Sequence, residues 1–226
     1  MIKQLCKIYG QMDFTDLEED IIRHPAFNRL ADVKQLGYTY KGAYKGASHS
    51  RLSHALGTAF LAKQIWRGII QKGHRLIDNG SEDLSHFPNK NELRELENLE
   101  YLVGAASLLH DITHTPFAHA IQDHLALSVI LTSPANFEKR IDDFDSCKLF
   151  DKAIREQTKR VLIRSRHSEL EHAGLIHDLI RGDLSASCID YVVRDHFEVG
   201  FKKLDLYYSG GIEFILVKTK GQVSLA

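Results

Sequence analysis

What is scarce in this 226-residue chain narrows its class before any motif is read. There are three cysteines, Cys6, Cys147 and Cys188, widely spaced and odd in number. No CxxC pair suggests a zinc knuckle and no even set suggests a disulfide framework, so a reducing, cytoplasmic setting is expected. No apolar run approaches the roughly 18 residues a membrane span requires, and the first ten residues lack the apolar core of a signal peptide, so no membrane partner is expected. An excess of one charge sign is also missing. Lys and Arg number 29 against 30 Asp and Glu, a net charge of -1, which argues against nucleic acid as a partner. The local basic cluster Lys159, Arg160, Arg164 and Arg166 reads as a solvated helix face. Internal repeats and low-complexity tracts are absent.

The remainder is ordinary globular composition, 43% hydrophobic and 26% charged, enough for one domain or one domain with a short appendage. Histidine is the exception: there are thirteen, concentrated between 110 and 124 and between 167 and 177.

Most of the sequence reads as helix, with strand signals only near the C-terminus. Residues 15–36 predict a capped helix start and a second helix after Pro25, with Phe27, Leu30, Val33 and Leu36 at three-residue spacing as its buried face. The glycines and tyrosines of 37–50 predict a loop. A long helix begins at Ser50 and carries a wide apolar stripe that ends near Gly73. Residues 74–92 read as a polar surface excursion. Helix returns over 92–111, breaks at Thr113–Pro116 and resumes over 117–131. A polar stretch around 132–147 precedes helices near 148–165, 168–181 and 185–197. Residues 211–226 read as a strand, a turn at Gly221 and the start of a second strand, stopping as a longer protein cut short would. The expected architecture is mainly α, a helical core over 1–205 with a β-hairpin-like extension over 206–226.

The chemistry concentrates in two segments, Arg51-Leu-Ser-His54 and His110-Asp111-Ile-Thr-His114-Thr-Pro116-Phe-Ala-His119. Adjacent helical positions diverge by about 100°. His110 and Asp111 can therefore serve one metal only where the helix ends, and the Thr113–Pro116 breaker ends it there. Arg51 and His54 lie one turn apart on nearly the same face, which suits one side chain for metal and the other for a phosphate oxygen. The same dipeptide recurs as His177-Asp178, mid-helix, with no breaker and no Arg-x-x-His partner, and reads as surface. His24, His74 and His86 carry no warrant beyond surface or loop roles.

The ordered set Arg-x-x-His-x-Leu-Gly, Leu-Leu-His-Asp-x-x-His-x-Pro-Phe-x-His and Asp-Tyr-x-x-Arg-Asp resembles the HD-domain metal-dependent phosphohydrolases, most closely their dNTP triphosphohydrolase branch. The resemblance runs from His24-Pro-x-Phe-x-Arg29 through Lys34-Gln35-Leu-Gly37 and Gly46-Ala-Ser-His-Ser-Arg51 to Asp190-Tyr191-Val-Val-Arg194-Asp195. It implies an HD-domain helical bundle with His54, His110 and Asp111 as ligands of a divalent ion, either Mn, Fe, Co, Ni or Zn, or Mg. Arg51 would hold the phosphate under attack, and His114 and His119 would be catalytic. Gln35, Tyr191 and Asp195 match positions that recognise the nucleotide sugar. His124 matches a third family histidine, with Leu125 where the family carries glutamate. His49 belongs to the matching stretch with no role beyond shaping its loop. A nucleotide or phosphorylated small molecule is the implied partner, and homo-oligomers occur in the family.

One departure stands out. The family takes a fourth metal ligand from an aspartate three residues before the Asp-Tyr pair, and here that residue is Ser187. A neutral hydroxyl is a poorer ligand for a hard divalent ion than a carboxylate. Asp190 or Asp183 can shift into the place, three protein ligands plus water can hold the ion, or the chain is a degenerate member that binds nucleotide or a protein partner with little catalysis.

Overall fold

The chain opens on strands, which the sequence reading did not anticipate. Ile2–Cys6 (β1) pairs antiparallel with Gly10–Phe14 (β2), in the register Ile2 to Phe14 and Cys6 to Gly10. The signal was short: Met12 and Phe14 alternate with exposed residues and are buried, while Leu5 is 90% exposed, so only one strand has a clean apolar face. The computed structural model describes residues 2–37, 39–80, 87–116, 133–163, 172–202, 214–219 and 222–225.

Among these the architecture is mainly helical, as expected. Helix α1 (Asp16–Arg23) starts in a capping box between Thr15 and Glu18. After Pro25 the chain makes one helical turn, Pro25–Asn28, and a 3-10 turn, Arg29–Ala31, rather than a helix to Leu36. The three-residue spacing of Phe27, Leu30 and Val33 is the 3-10 period, and all three are buried. A further single turn spans Thr39–Gly42.

Helix α2 (Arg51–Asp78) begins at the Ser50 cap, whose hydroxyl accepts from Ser53 N–H, and runs five residues past Gly73. Gly73 is a close approach and not a stop, since a Cβ there would meet Leu93 at 3.0 Å. The surface excursion therefore begins only after the helix. What was read as one helix over 92–111 is two, α3 (Lys90–Glu97) and α4 (Glu100–Leu109). The Leu96 carbonyl between them accepts from the Trp66 indole at 3.1 Å and from Leu99 N–H at 2.9 Å, which tightens the chain into a turn. The polar stretch holds α5 (Pro134–Asp142), started by Ser133 and Pro134 and buried on Phe137 and Ile141. Then come α6 (Lys152–Ile163), α7 (Ala173–Arg181) and α8 (Ala186–Glu198). Strands β3 (Leu216–Thr219) and β4 (Gln222–Leu225) form the C-terminal antiparallel pair, and β4 packs on α7. The segments 81–86 and 117–132, with His86, His119 and His124, lie outside the described residues.

Helix α2 is the axis. It packs against α3, α4 and α8, while α1 and α6 cover α4. Trp66, Ile65, Leu102, Val103 and Leu109 are wholly buried in this core, and burying side chains of that size contributes on the order of 1.5–3 kcal/mol each. A buried ion pair ties the N-terminal hairpin in: Lys63 of α2 donates to Glu18 at 2.7 Å and to the Asp13 carbonyl at 3.1 Å. No helix among the described residues is long and apolar enough to cross a membrane.

Candidate metal centre

The start of α2, the end of α4 and the first turns of α8 meet at one point. From α2 comes His54, from the residues just past α4 come His110 and Asp111, and all three are buried. Their ligand atoms lie within 4.8 Å of one another. His110 follows Leu109, the last residue of α4, so the Asp111 side chain is free to turn back beneath the ring: Asp111 Oδ1 is 3.5 Å from His110 Nε2, and Oδ2 is 3.9 Å from His54 Nε2.

Hydrogen bonding fixes which nitrogen of each ring is bare. His110 Nδ1 donates to the Ser107 carbonyl at 2.7 Å, and His54 Nδ1 donates to Asp190 Oδ2 at 2.7 Å. Both Nε2 atoms then carry lone pairs, and they face each other at 3.3 Å. Two acceptors so placed repel unless a cation lies between them. The edge of a tetrahedron with metal–nitrogen bonds of roughly 2.0–2.1 Å is about 3.3–3.4 Å, so the donor set fits a divalent ion. Burial pushes the His110 imidazole down to about 4, the neighbouring Asp111 only partly opposing this, which keeps the ring neutral as a ligand must be. For Asp111, burial acts to raise the carboxyl, but His110, His114 and His54 outweigh it and hold it well below the ordinary value.

Asp190, the weak candidate for a fourth ligand, is not gathered with these three. Its carboxylate is wholly buried one layer out, accepting from His54 Nδ1 and, at 2.8 and 2.9 Å, from Arg194. It orients the histidine, the arrangement that sharpens a metal-binding imidazole. Gly57 makes room for it: a Cβ there would fall inside contact with Asp190 Oδ1 and Arg194 Nη2. Tyr9, from the turn between β1 and β2, closes the far side, with the Arg194 guanidinium 5.9 Å from its ring centroid. Asp183 is exposed just past α7. The corner next to the two histidines holds Ser187, whose hydroxyl is 3.3 Å from His54 Nε2 and 3.2 Å from His110 Nε2.

Around this group the other predicted residues fall into place by element. Arg51 is buried and donates from Nη1 to Asp111 Oδ2 at 2.6 Å. Its Nε and Nη2 have no partner among the described residues, although they are buried. Buried donors left over in this way call for an acceptor beyond the described residues. His114 sits 3.3 Å from Asp111 Oδ1. Ser187, Tyr191 and Asp195, four residues apart on α8, share one face leading away from the histidines. Gln35 lies in the loop that an antiparallel bridge between Lys34 and Ser50 fastens beside α2. His119 is outside the described residues.

Two residues were missed by sequence reasoning. Arg29 donates to the carbonyls of Ile112 and, at 2.9 Å, of His114, and Arg181 donates to the carbonyl of His110. Together they clamp the loop that carries the candidate ligands. Their partners are backbone groups distant in sequence, which no spacing reveals. His177, read as surface, is half-buried, its Nδ1 donating to the Val161 carbonyl at 2.8 Å.

Comparison with known proteins gives the following likenesses. No protein-family profile matches the chain. It is 28% identical over 209 residues to the deoxynucleoside triphosphate triphosphohydrolase SAMHD1 homolog of Dictyostelium discoideum, covering 85% of this chain and 35% of that protein. It is 35% identical over 112 residues to SAMHD1 of Bos taurus, covering 50% of this chain and 16% of that one, and 25% identical over 206 residues to an HD domain-containing protein of Acanthamoeba polyphaga mimivirus, covering 84% and 41%. The chain thus spans less than half the length of these relatives. The crystal structure of a hypothetical protein from Aquifex aeolicus superposes with a TM-score of 0.65 at 21% identity, over 98% of this chain and 53% of that one, a likeness of fold. Over most of its length the chain is thus similar to HD-domain proteins and to a dNTP triphosphohydrolase of that superfamily.

Proposed function

We propose that the chain is a metal-dependent phosphohydrolase that cleaves a nucleotide phosphate ester or anhydride, with a dNTP triphosphohydrolase-like activity. The observation that carries this reading is the pair of bare imidazole nitrogens aimed at one point beside a buried carboxylate, with the spare donors of the Arg51 guanidinium next to them. His54, His110 and Asp111 would hold the ion, either Mn, Fe, Co, Ni or Zn, or Mg. When bound, such an ion lowers the pKa of a water and polarises the phosphorus centre. Arg51 offers Nε and Nη2 to a phosphate oxygen and neutralises charge that develops there. His114, next to Asp111, serves as general acid toward the leaving oxygen, a role His119 shares on the family pattern. The Ser187, Tyr191 and Asp195 face reaches about 12 Å along α8 at about 1.5 Å per residue, the length of a nucleoside laid outward from its phosphate. Gln35 and Asp195 would take its sugar hydroxyls.

A second reading is favoured by Ser187. Its hydroxyl occupies the corner next to both histidines, and Arg51 already engages Asp111, so a silent protein that binds nucleotide without turnover also fits. Metal analysis of the purified chain, with phosphate and triphosphate release measured on dNTPs, nucleoside monophosphates and a chromogenic phosphoester, separates the two. Bound metal with turnover supports the hydrolase. Nucleotide binding without turnover under any added metal supports the silent reading.

A further inference from the structure

One motif residue has no place in that chemistry. His49 is buried, and no hydrogen bond among the described residues joins its ring to the paired histidines. Nε2 donates to Asp195 Oδ1 at 2.6 Å, across 146 residues of sequence, and Nδ1 has no partner among the described residues. The ring's single strong bond is therefore to the last residue of the Ser187-Tyr191-Asp195 face. The backbone of the same residue holds a second group: Gln35 N–H donates to the His49 carbonyl at 3.0 Å. Arg51, two residues further on, donates its own N–H to the Val33 carbonyl at 2.8 Å, closing the other side of the bridge between Lys34 and Ser50. Three separate segments are thus tied together, those of Gln35 and Arg51 through their backbones and that of Asp195 through its carboxylate, and His49 bonds to the first and the last.

We propose that His49 is a positioning residue for the sugar end of the site: its ring orients the Asp195 carboxylate and its carbonyl fixes the backbone that carries Gln35. This rests on the nucleotide reading above. A carboxylate on α8 that is 27% exposed would otherwise be free to sample several rotamers; the histidine commits one of its oxygens. The bond is charge-assisted on the carboxylate side, the stronger kind. Its loss should be felt in recognition of the nucleoside and not in the assembly of the metal centre, because His49 touches none of His54, His110 or Asp111.

The test uses the whole chain with its metal and compares His49→Ala, His49→Gln, Asp195→Asn and the two double variants on a dNTP and on a chromogenic phosphoester that carries no sugar. His49→Ala should lose about 10- to 100-fold in kcat/KM on the dNTP, mostly through KM. That loss should exceed the loss on the sugar-free ester by tenfold or more, with wild-type metal content. His49→Gln, which can still reach the carboxylate with an amide N–H, should recover part of it, and in the Asp195→Asn background the second change should add less than about twofold. Should His49→Ala not fold, His49→Gln with and without Asp195→Asn carries the test. Equal losses on the two substrates, additive effects with Asp195→Asn, or an unchanged KM would each overturn the role of His49 while leaving the hydrolase reading intact. A wild-type chain that cleaves the ester and neither binds nor cleaves nucleotide overturns the nucleotide reading, and this inference with it.

Discussion

His110-Asp111 and His177-Asp178 are the same dipeptide in two mechanical settings. The first sits at the end of α4, with His110 as its still-helical C-cap and turns following it, and both side chains lie beside His54. The second lies inside α7, where the helix holds adjacent side chains about 100° apart. His177 is spent on a structural task, donating to the Val161 carbonyl in the last turn of α6, one of the orphan acceptors every helix end presents. Residue identity is constant between the two. What differs is whether the chain remains helical after the histidine, and that decides between a pair gathered beside His54 and a helix clip.

The comparison can be broken most sharply by deletion. Alanine at His54, His110 or Asp111 should abolish stoichiometric metal binding and cut phosphate release on the order of a thousandfold or more. His177→Ala should change release by less than about twofold and cost about 1 kcal/mol in chemical denaturation. Similar losses at both dipeptides would end the distinction drawn between them. A second contrast lies in two glycines. Gly57→Ala pushes into the pinned Asp190–Arg194 pair and should destabilise by about 2–3 kcal/mol, with weaker metal binding. Gly174→Ala in α7 meets open space among the described residues and should stabilise by up to about 1 kcal/mol. Thermal melts of the two variants check both signs.

The depressed titration of His110 gives a pH test on metal-free protein. Its ordinary value of 6.5 falls to about 4 in the fold, so between those values the unfolded chain binds the extra proton. Stability from this group is complete above pH 6.5 and is lost as pH falls toward 4, by up to ~3 kcal/mol. Urea midpoints between pH 4 and 7 should fall accordingly, and His110→Gln should flatten the slope. The smallest effect is expected at Ser187: Ser187→Asp places a carboxylate at the corner beside both Nε2 atoms and should raise metal affinity by about tenfold. Calorimetric titration with Mn2+ measures it, and unchanged affinity would mean that the hydroxyl corner is not a ligand position.

Much of the helical order was legible, because caps and apolar periodicity are local. Ser50 before α2, the breaker after Asp111 and the C-terminal strand pattern all act within a few residues of themselves. The errors have local causes too. Three-residue spacing after Pro25 was counted as α when it is the 3-10 period, Gly73 was taken as a terminus when it is a contact with Leu93, and the N-terminal hairpin hid behind an exposed Leu5. Of the site, His54, His110, Asp111 and Arg51 could be named from motif order and the geometry of a helix end. Asp190 as the partner of His54, His49 as the partner of Asp195, and the clamp by Arg29 and Arg181 could not, since each rests on hydrogen bonds between segments at least 71 residues apart.

The sequence by itself determined which residues are chemically equipped: three metal-capable side chains, an arginine one helical turn from a histidine, and a serine where a carboxylate is the family pattern. Tertiary structure alone decided which nitrogen of each ring is bare, that Asp190 is bonded to His54 and Arg194 and not gathered with the three candidate ligands, and that the Ser187 hydroxyl lies in the corner beside them. The reason is physical. Residue type and period are properties of the local chain, whereas a tautomer, a buried ion pair and the convergence of three helices exist only once distant segments share the same low-dielectric space.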